Sequence, residues 1–462
     1  MSNSLTPTFR YTVLFHSSLL GGAERSALEL VQALIKNGNL ITCLVPDGPN
    51  ELSEMLQTAG AKVERLTSII WWTHQPLTAI EKTQEVESCL ERIATDIVLT
   101  ITGVIPQAAI AARKLGIPHI WFLHEFIDKD HGLEIPFNRG VFSRFVLEYS
   151  EKIICNSRTV QEYFFPESHD KVTFLYPFPT GIGDKKVFNP KDLHTPLELG
   201  VVANFSQGKG HLIMLSALSK LLNSGFNVRV NFFGNLGTSE LRDQIDAYIN
   251  LNNLEKKVSF KGFVSSREEI FESIDAVVIS SPNEAFGRVP FEAMSYAVPV
   301  IYSKSGGLVE YIIPEKTGVS FEANDSVSLA NSIRKLADPK FDLPGLILSG
   351  QAFVRNINNT NSYVSAVAAI SKSVVQDFKK LPLQNSSNVL IDEYLSVTRQ
   401  RDDLTRQRDD LTRQRDDLTR QRDDLTRQRD DLTRQRDDLW NSTTWKVTKP
   451  IRALINFFRK RP

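Results

Sequence analysis

SIDAVVISSPNEAFGRVPFEAMSYAVPVIYS, residues 273–303, sets two short apolar runs on either side of a glycine step and an amphipathic segment. "DAVVIS" (275–280) has the length of a buried strand, "VPFEAMSYA" (289–297) reads as a helix, and "PVIYS" (299–303) as a second strand. Strand, turn, helix and strand in so short a span make a βαβ unit, which implies a parallel sheet. A helix starting near Arg288 would aim unpartnered N–H groups out of the carboxyl end of that sheet, where open α/β sheets bind ligands and where a diphosphate would be stabilised. Pro290 suits an early helical position because its missing N–H has no partner to lose there. Gly287 lets a ligand approach the backbone. Glu284 and Glu292 flank the Phe286–Gly287 step. Carboxylates do not hold phosphate but accept readily from hydroxyls, so the ligand these residues suggest carries both, as a nucleotide sugar does. On spacing alone a plainer reading stands beside it: Glu292 complements a helix dipole and Glu284 is solvated.

The same grammar extends outward. "YTVLFH", "LITCLVP", "DIVLTI", "PHIWFLH", "KIICNS" and "KVTFLY" alternate with helical patterns from Tyr11 to Leu175, and after "PFPTGIGDKKVFNPKD" the pattern restarts with "LELGVVANF", "VRVNFFG" and "KVSFKGF". Two consecutive α/β sheets are expected, with a junction near 178–195. Three further turns carry glycines directly after strands: Gly21 and Gly22 in "SSLLGGAERS", Gly306 and Gly307 in "SKSGGLVEYI", and Lys209 between glycines in "NFSQGKGH". One such loop means little, since glycine often only turns the chain. Their recurrence in both halves is consistent with a cleft between two domains.

The whole chain bounds these readings. Its 462 residues suffice for two or three cores, and its formal net charge of +0 argues against nucleic acid as a partner held by overall charge. Cys43, Cys89 and Cys155 are scattered without metal or disulfide spacing, which suits a reducing compartment. With no apolar run long enough to span a bilayer and no signal-peptide pattern, a cytoplasmic location is expected.

Behind a helix expected at 359–380 and a polar linker at 381–396 comes low-complexity sequence. The heptad "RDDLTRQ" occurs five times from Arg401 to Gln435, with one apolar position per repeat, Leu404 through Leu439. Acid-to-base pairs such as Asp402 to Arg406 at i, i+4, worth about 0.3–0.5 kcal/mol each, favour a helix over 397–440, roughly 66 Å long. It could be a lone charged spacer or a self-associating leucine seam. In the tail, 441–462, Ile451, Leu454, Ile455 and Phe458 make one apolar stripe among Lys446, Lys449, Arg452, Arg459, Lys460 and Arg461. Such a helix can lie in an anionic membrane interface; docking on the protein's own surface is the alternative.

"NEAFGRVPFEAMSYAVPVI" resembles the paired-glutamate signature of retaining glycosyltransferases of family four, whose fold is GT-B: two Rossmann-like domains with parallel sheets facing across a cleft. The likeness runs over about residues 9–380 and takes in "GGAE", "FLHEF", "ICNSRTVQEYF", "VSFKGFV" and "GGLVEYI" followed by "TG". The resemblance implies an acceptor domain at 1–180 and a nucleotide-sugar donor domain at 195–358. It further implies that Glu284 binds donor-sugar hydroxyls beside the N–H groups of Phe286 and Gly287, Glu292 the ribose, and Lys209 the diphosphate. Gly21 and Gly22 would close over the phosphates, Gly262 would lie at the donor site, and His124 would reach the reacting sugar. No cofactor and no metal are implied. "HEFIDKDH" has no usual ligand spacing. The family's usual arginine is replaced by Asn204, and Arg288 is the candidate substitute for that charge; Ala297 stands where glycine is usual and is taken as a packing detail. "NSTTWKVTKPIRAL" resembles a terminal motif of bacterial surface-polysaccharide glycosyltransferases. The implied reaction is retaining sugar transfer from a UDP- or GDP-linked donor to a glycan acceptor, lipid-linked at the inner face of the plasma membrane, in O-antigen or capsule synthesis. The alternatives are a catalytically weak GT-B scaffold or chain-length ruler, and an epimerase or phosphorylase of the same fold.

Overall fold

The computed structural model describes residues 8–67, 69–133, 138–179, 196–235, 237–360, 363–378 and 386–459. Its strands are β1 (Arg10–Leu14), β2 (Leu40–Pro46), β3 (Lys62–Leu66), β4 (Ile97–Thr100), β5 (His119–Leu123), β6 (Lys152–Cys155) and β7 (Val172–Phe174), then β8 (Leu197–Val202), β9 (Val228–Phe233), β10 (Val258–Gly262), β11 (Ala276–Ile279), β12 (Val300–Ser303) and β13 (Val319–Phe321). The first seven form one sheet in the order β3-β2-β1-β4-β5-β6-β7 and the other six a second, β10-β9-β8-β11-β12-β13. Every pairing is parallel. The chain thus has the two Rossmann-like lobes expected. The expected junction falls largely on 180–195, outside the described residues.

Alternation of side chains across each strand builds two cores per sheet. Tyr11, Val13 and Phe15 face one cluster with Leu28, Val31 and Leu34 of helix Gly22–Lys36, while Leu14 faces another with Trp72, Trp121, Phe142 and Phe145. The second lobe repeats this, Val201 and Phe232 on one face and Val277, Phe291 and Tyr302 on the other. Helix Tyr363–Asp377 lies within the closing helix expected at 359–380, and a further helix, Leu343–Thr360, precedes it. Tyr363, Val367 and Val374 of the closing helix join the first lobe's cluster around Tyr11 and Val13, so the chain returns to its first lobe before leaving the core.

Ala297 corrects one expectation. It stands at φ +58, directly after helix Val289–Ser295. Val298 N donates to Ala293 O at 3.0 Å and Ala297 N to Met294 O at 3.1 Å, the two hydrogen bonds of a left-handed helix stop. Glycine is favoured at that position by backbone conformation, not packing, and the alanine costs about 1 kcal/mol.

Burial carries a pH consequence. His211, stacked on Phe205 with ring centroids 4.2 Å apart, is 2% exposed. That burial, aided by the Lys209 charge, pulls its pKa down to about 4. Between pH 6.5 and 4 the unfolded chain therefore binds a proton at this residue that the folded chain excludes, and stability falls as pH is lowered. His211→Phe is expected to remove that proton, making the stability difference between variant and wild type grow on acidification by up to about 1.4 kcal/mol per pH unit. Urea denaturation across that range checks it; parallel profiles would contradict it.

The chain divides into a unit of residues 1–394 and one of 395–462. Helix Ser386–Asn441 begins inside the expected linker, because no proline or glycine interrupts the sequence between Pro382 and Asn441. Its ion pairs are not the expected i, i+4 set. Asp402 pairs with Arg401 at 2.7 Å and Asp403 with Arg406 at 3.5 Å, a pattern the later repeats follow. Helix Thr443–Arg459 follows, with Ile451, Leu454, Ile455 and Phe458 all more than half exposed. Among the described residues no helix is long and apolar enough to cross a membrane.

Candidate functional site

Strand order reverses between β1 and β4 in the first sheet and between β8 and β11 in the second. The loops that leave the carboxyl ends of those strands open into one shared cavity of about 460 Å³. Gly21, Gly22, His124, Asn204, Lys209, Glu284, Phe286, Gly287 and Arg288 all line it. Gly262 and Glu292 do not. Gly262 sits at the end of an edge strand with φ +67, and Glu292 faces Arg267 in an ion pair of 2.9 Å.

The centre of the second lobe's wall is Lys209, whose Nζ donates to both Glu284 oxygens at 3.2 and 3.0 Å. Burial by itself would push Glu284 up, but the ammonium beside it prevails and holds it below the usual carboxylate range. Burial would likewise lower Lys209, yet Glu284 and then Asp130 hold it above its ordinary value. Both are therefore charged. The turn Gln207–Lys209 is fixed from below by Ser280, whose hydroxyl donates to Lys209 O at 3.0 Å.

The glycines around this turn do different jobs from those expected. A Cβ on Gly208 would lie 1.8 Å from Asp130 O of the other lobe, and one on Gly210 2.0 Å from Ser280 O. On Gly306 it would meet Glu284 O at 2.1 Å, and Gly307 N donates to that same oxygen at 2.8 Å. These glycines let loops pack on loops. Of the glycines that line the cavity, Gly21 and Gly287 are closely approached and Gly22 alone has nothing within 4 Å, leaving room for a ligand.

From the first lobe comes His124, half-buried at the end of β5 and stacked on Phe122. Burial, with His16 and Arg288 nearby, pulls its pKa down to about 4, so near neutral pH it is an uncharged donor and acceptor. Its loop is held by Glu125, a residue the sequence reading passed over. The Glu125 carboxylate accepts from Gly103 N at 2.6 Å, His124 N at 3.1 Å and the Thr102 hydroxyl, tying together the loops after β4 and β5. Burial pushes its pKa up to about 7. Next along, Ile127 adopts φ +72 and ψ −65 in a three-residue turn closed by Asp128 N to Phe126 O at 3.0 Å, a strained conformation for a β-branched residue. The strained turn delivers Asp130, 2% exposed, against Gly208; one carboxylate oxygen accepts from Phe126 N at 2.9 Å.

Arg288 and Asn204 are tied elsewhere. The Arg288 guanidinium donates to the Ser26 hydroxyl at 2.8 Å and to Glu29, both on helix Gly22–Lys36. Both terminal nitrogens thus hold the two lobes together instead of standing free beside Lys209. Asn204 Oδ1 accepts from Asn235 N at 3.0 Å, joining the loops after β8 and β9. A second tie, also unanticipated, is Glu310, which accepts from Arg158 N at 2.9 Å, Thr159 N at 2.7 Å and Tyr176 Oη at 2.8 Å.

Residues 20–178 match the family model described as Glycosyltransferase Family 4, and residues 184–342 the model described as Glycosyl transferases group 1. Among curated proteins, the chain is 27% identical over 236 residues to the uncharacterized glycosyltransferase MJ1178 of Methanocaldococcus jannaschii, covering 50% of this chain and 62% of that protein. It is 27% identical over 146 residues to the capsular polysaccharide biosynthesis glycosyltransferase CapM of Staphylococcus aureus, covering 32% and 38%. The matches span less than two thirds of either relative's length. The fold is similar to the crystal structure of Anabaena Alr3699/HepE in complex with UDP and glucose, with a TM-score of 0.66 at 20% identity over 79% of this chain and 100% of that one. The two lobes are thus the paired domains of a glycosyltransferase of the group 1 type.

Proposed function

We propose that the chain transfers a sugar from a nucleotide-sugar donor to a glycan acceptor, with retention at the anomeric carbon and without a metal. The observation that carries this reading is the Lys209–Glu284 pair set at one carboxyl-end crevice opposite His124 at the other. In the reaction Lys209 stabilises charge on the departing nucleoside diphosphate, acting in a site where burial strengthens electrostatics. Glu284 accepts from hydroxyls of the sugar, and neutral His124 bonds the sugar's other face. The acceptor hydroxyl attacks from the side the diphosphate leaves, and the leaving phosphate oxygen takes its proton; no carboxylate acts as nucleophile. Glu292, outside the cavity lining and paired with Arg267, would reach a ribose only after that pair opens. A UDP-linked donor is favoured because the similar Anabaena protein binds UDP.

Nucleotide release and thermal shift with UDP- and GDP-sugars test the reading directly. Release above the rate of spontaneous hydrolysis, with stabilisation by one donor class, supports it. Stabilisation by a donor without any release would favour the scaffold reading, which Asn204 in place of the family's usual arginine otherwise recommends.

The acceptor in this reading is lipid-linked at the inner face of the plasma membrane, in capsule or O-antigen assembly. Support comes from the capsular relative CapM and from the exposed apolar stripe of helix Thr443–Arg459 among basic residues. Deleting residues 446–462 is expected to abolish flotation with anionic liposomes while leaving nucleotide release in solution unchanged, each basic residue near the surface contributing about 1 kcal/mol. Unaltered flotation would refute the tail's role.

A further inference from the structure

The leucines at every seventh position from Leu404 to Leu439 are 64–65% exposed, and Val397 continues their row one repeat earlier. On a straight helix such a row drifts by about 20° per heptad, and it stays on one face only when two helices wind left-handed about each other. The other heptad positions decide what the row can meet. Beside each leucine in the seam stands either the glutamine three residues on, as Gln407 after Leu404, or the arginine four residues on, Arg408. Burying a neutral amide is less unfavourable than burying a guanidinium, so leucine takes position a and glutamine d. Arg408 and its repeats through Arg436 then fall at e, and Asp403 and its repeats through Asp431 at g, on opposite edges of the seam. Both rows are open: side-chain exposure is 73% for Arg408 and 68% for Arg436, 67% for Asp403 and 69% for Asp431. Their present partners are neighbours on the same helix, as in Arg408 with Asp409 at 2.9 Å, and exposed pairs of that kind hold little energy.

We propose that this face docks a second copy of the same helix, parallel to the first. In a parallel pair each g residue meets the e residue of the following heptad on the other strand, so Asp410 faces Arg415 of the second copy, and the match recurs along the tract. An antiparallel pair would set aspartate against aspartate and arginine against arginine. One sequence therefore presents complementary edges only to a parallel copy of itself. Parallel pairing also gathers two basic tail helices at the same end of the assembly, so that a surface binding both holds the pair far more tightly than one. None of this rests on the glycosyltransferase reading.

Sedimentation of the full chain at micromolar concentration tests the proposal. Wild type is expected to sediment as a dimer. A set with Asp410, Asp417 and Asp424 changed to Arg, and a set with Arg415, Arg422 and Arg429 changed to Asp, are each expected to be monomeric and to form a mixed dimer when combined. Leu411→Ala with Leu425→Ala, which retains helix propensity, should weaken dimerisation at least about tenfold, since each leucine loses buried apolar area. A monomeric wild type, charge-reversed sets that each dimerise alone, or a leucine pair without effect would overturn it.

Discussion

Glu284→Gln is expected to lower kcat about 100- to 1,000-fold while leaving donor affinity within about threefold, or tighter. The argument starts from the charged pair. Within the cleft, Glu284 is the partner that keeps Lys209 protonated against its burial, and Lys209 keeps Glu284 ionised. A donor brings its own negative charge to Lys209, so the amide variant does not strand the ammonium once the diphosphate is bound. What is lost is the ionised acceptor for the sugar's hydroxyls, whose hydrogen bonds are charge-assisted and about twice as strong as neutral ones. If those bonds tighten as the sugar loses its leaving group, the loss falls on kcat and not on binding. Turnover measured beside donor titration by calorimetry separates the two. A variant that binds donor a hundredfold more weakly and turns over normally once saturated would make Glu284 a ground-state ligand only. Glu284→Gln combined with Lys209→Met removes both charges and should recover the stability lost by either single change, yet remain inactive.

How much of this could be read from the chain depends on where each element sits. Buried strands announced themselves as β-branched runs, and those runs gave both sheets. The two strands that escaped, β3 and β13, are sheet edges. β3 is "KVERL", whose charges suit an unpaired edge, and β13 is only three residues long. At the site, Lys209 and Glu284 stood out because each lies in a glycine turn directly after a strand. Glu125 and Asp130 lay in the same quoted segment as His124, but nothing in spacing distinguishes a carboxylate buried against backbone N–H groups from one in solvent. Arg288 illustrates the converse. Its position beside the signature suggested a ligand for phosphate, whereas its reach to Ser26 and Glu29 depends on how the two lobes meet, which no local pattern encodes. Gly306 and Gly307 were likewise sound as turn signals and silent about what the turn packs against.

That distinction among glycines gives the second large expected effect. Gly208→Ala is expected to reduce kcat/KM about 100-fold with little loss of stability, whereas Gly22→Ala should leave the empty protein unchanged. At Gly208 the added methyl would stand 1.8 Å from Asp130 O, a backbone atom of the opposite lobe that cannot swing aside as a side chain would. Ordinary backbone is compatible with alanine at that residue, so neither the fold of the second lobe nor its turn is strained. Relief must come from separating the lobes by about 1 Å, and a displacement of that size between reacting groups costs about a hundredfold in rate. Both interlobe ties, Arg288 to Glu29 and Glu310 to helix Arg158–Phe164, would be stretched by the same movement. Gly22, with open space around it, adds a methyl that meets only an incoming ligand, so its effect should be confined to donor affinity. The pair is measured by urea denaturation, donor titration and kcat/KM on the same preparations. If Gly208→Ala retains wild-type turnover, the cleft tolerates separation at Asp130 and the close approach of the lobes there is not part of catalysis; if it unfolds the protein, the contact is structural first.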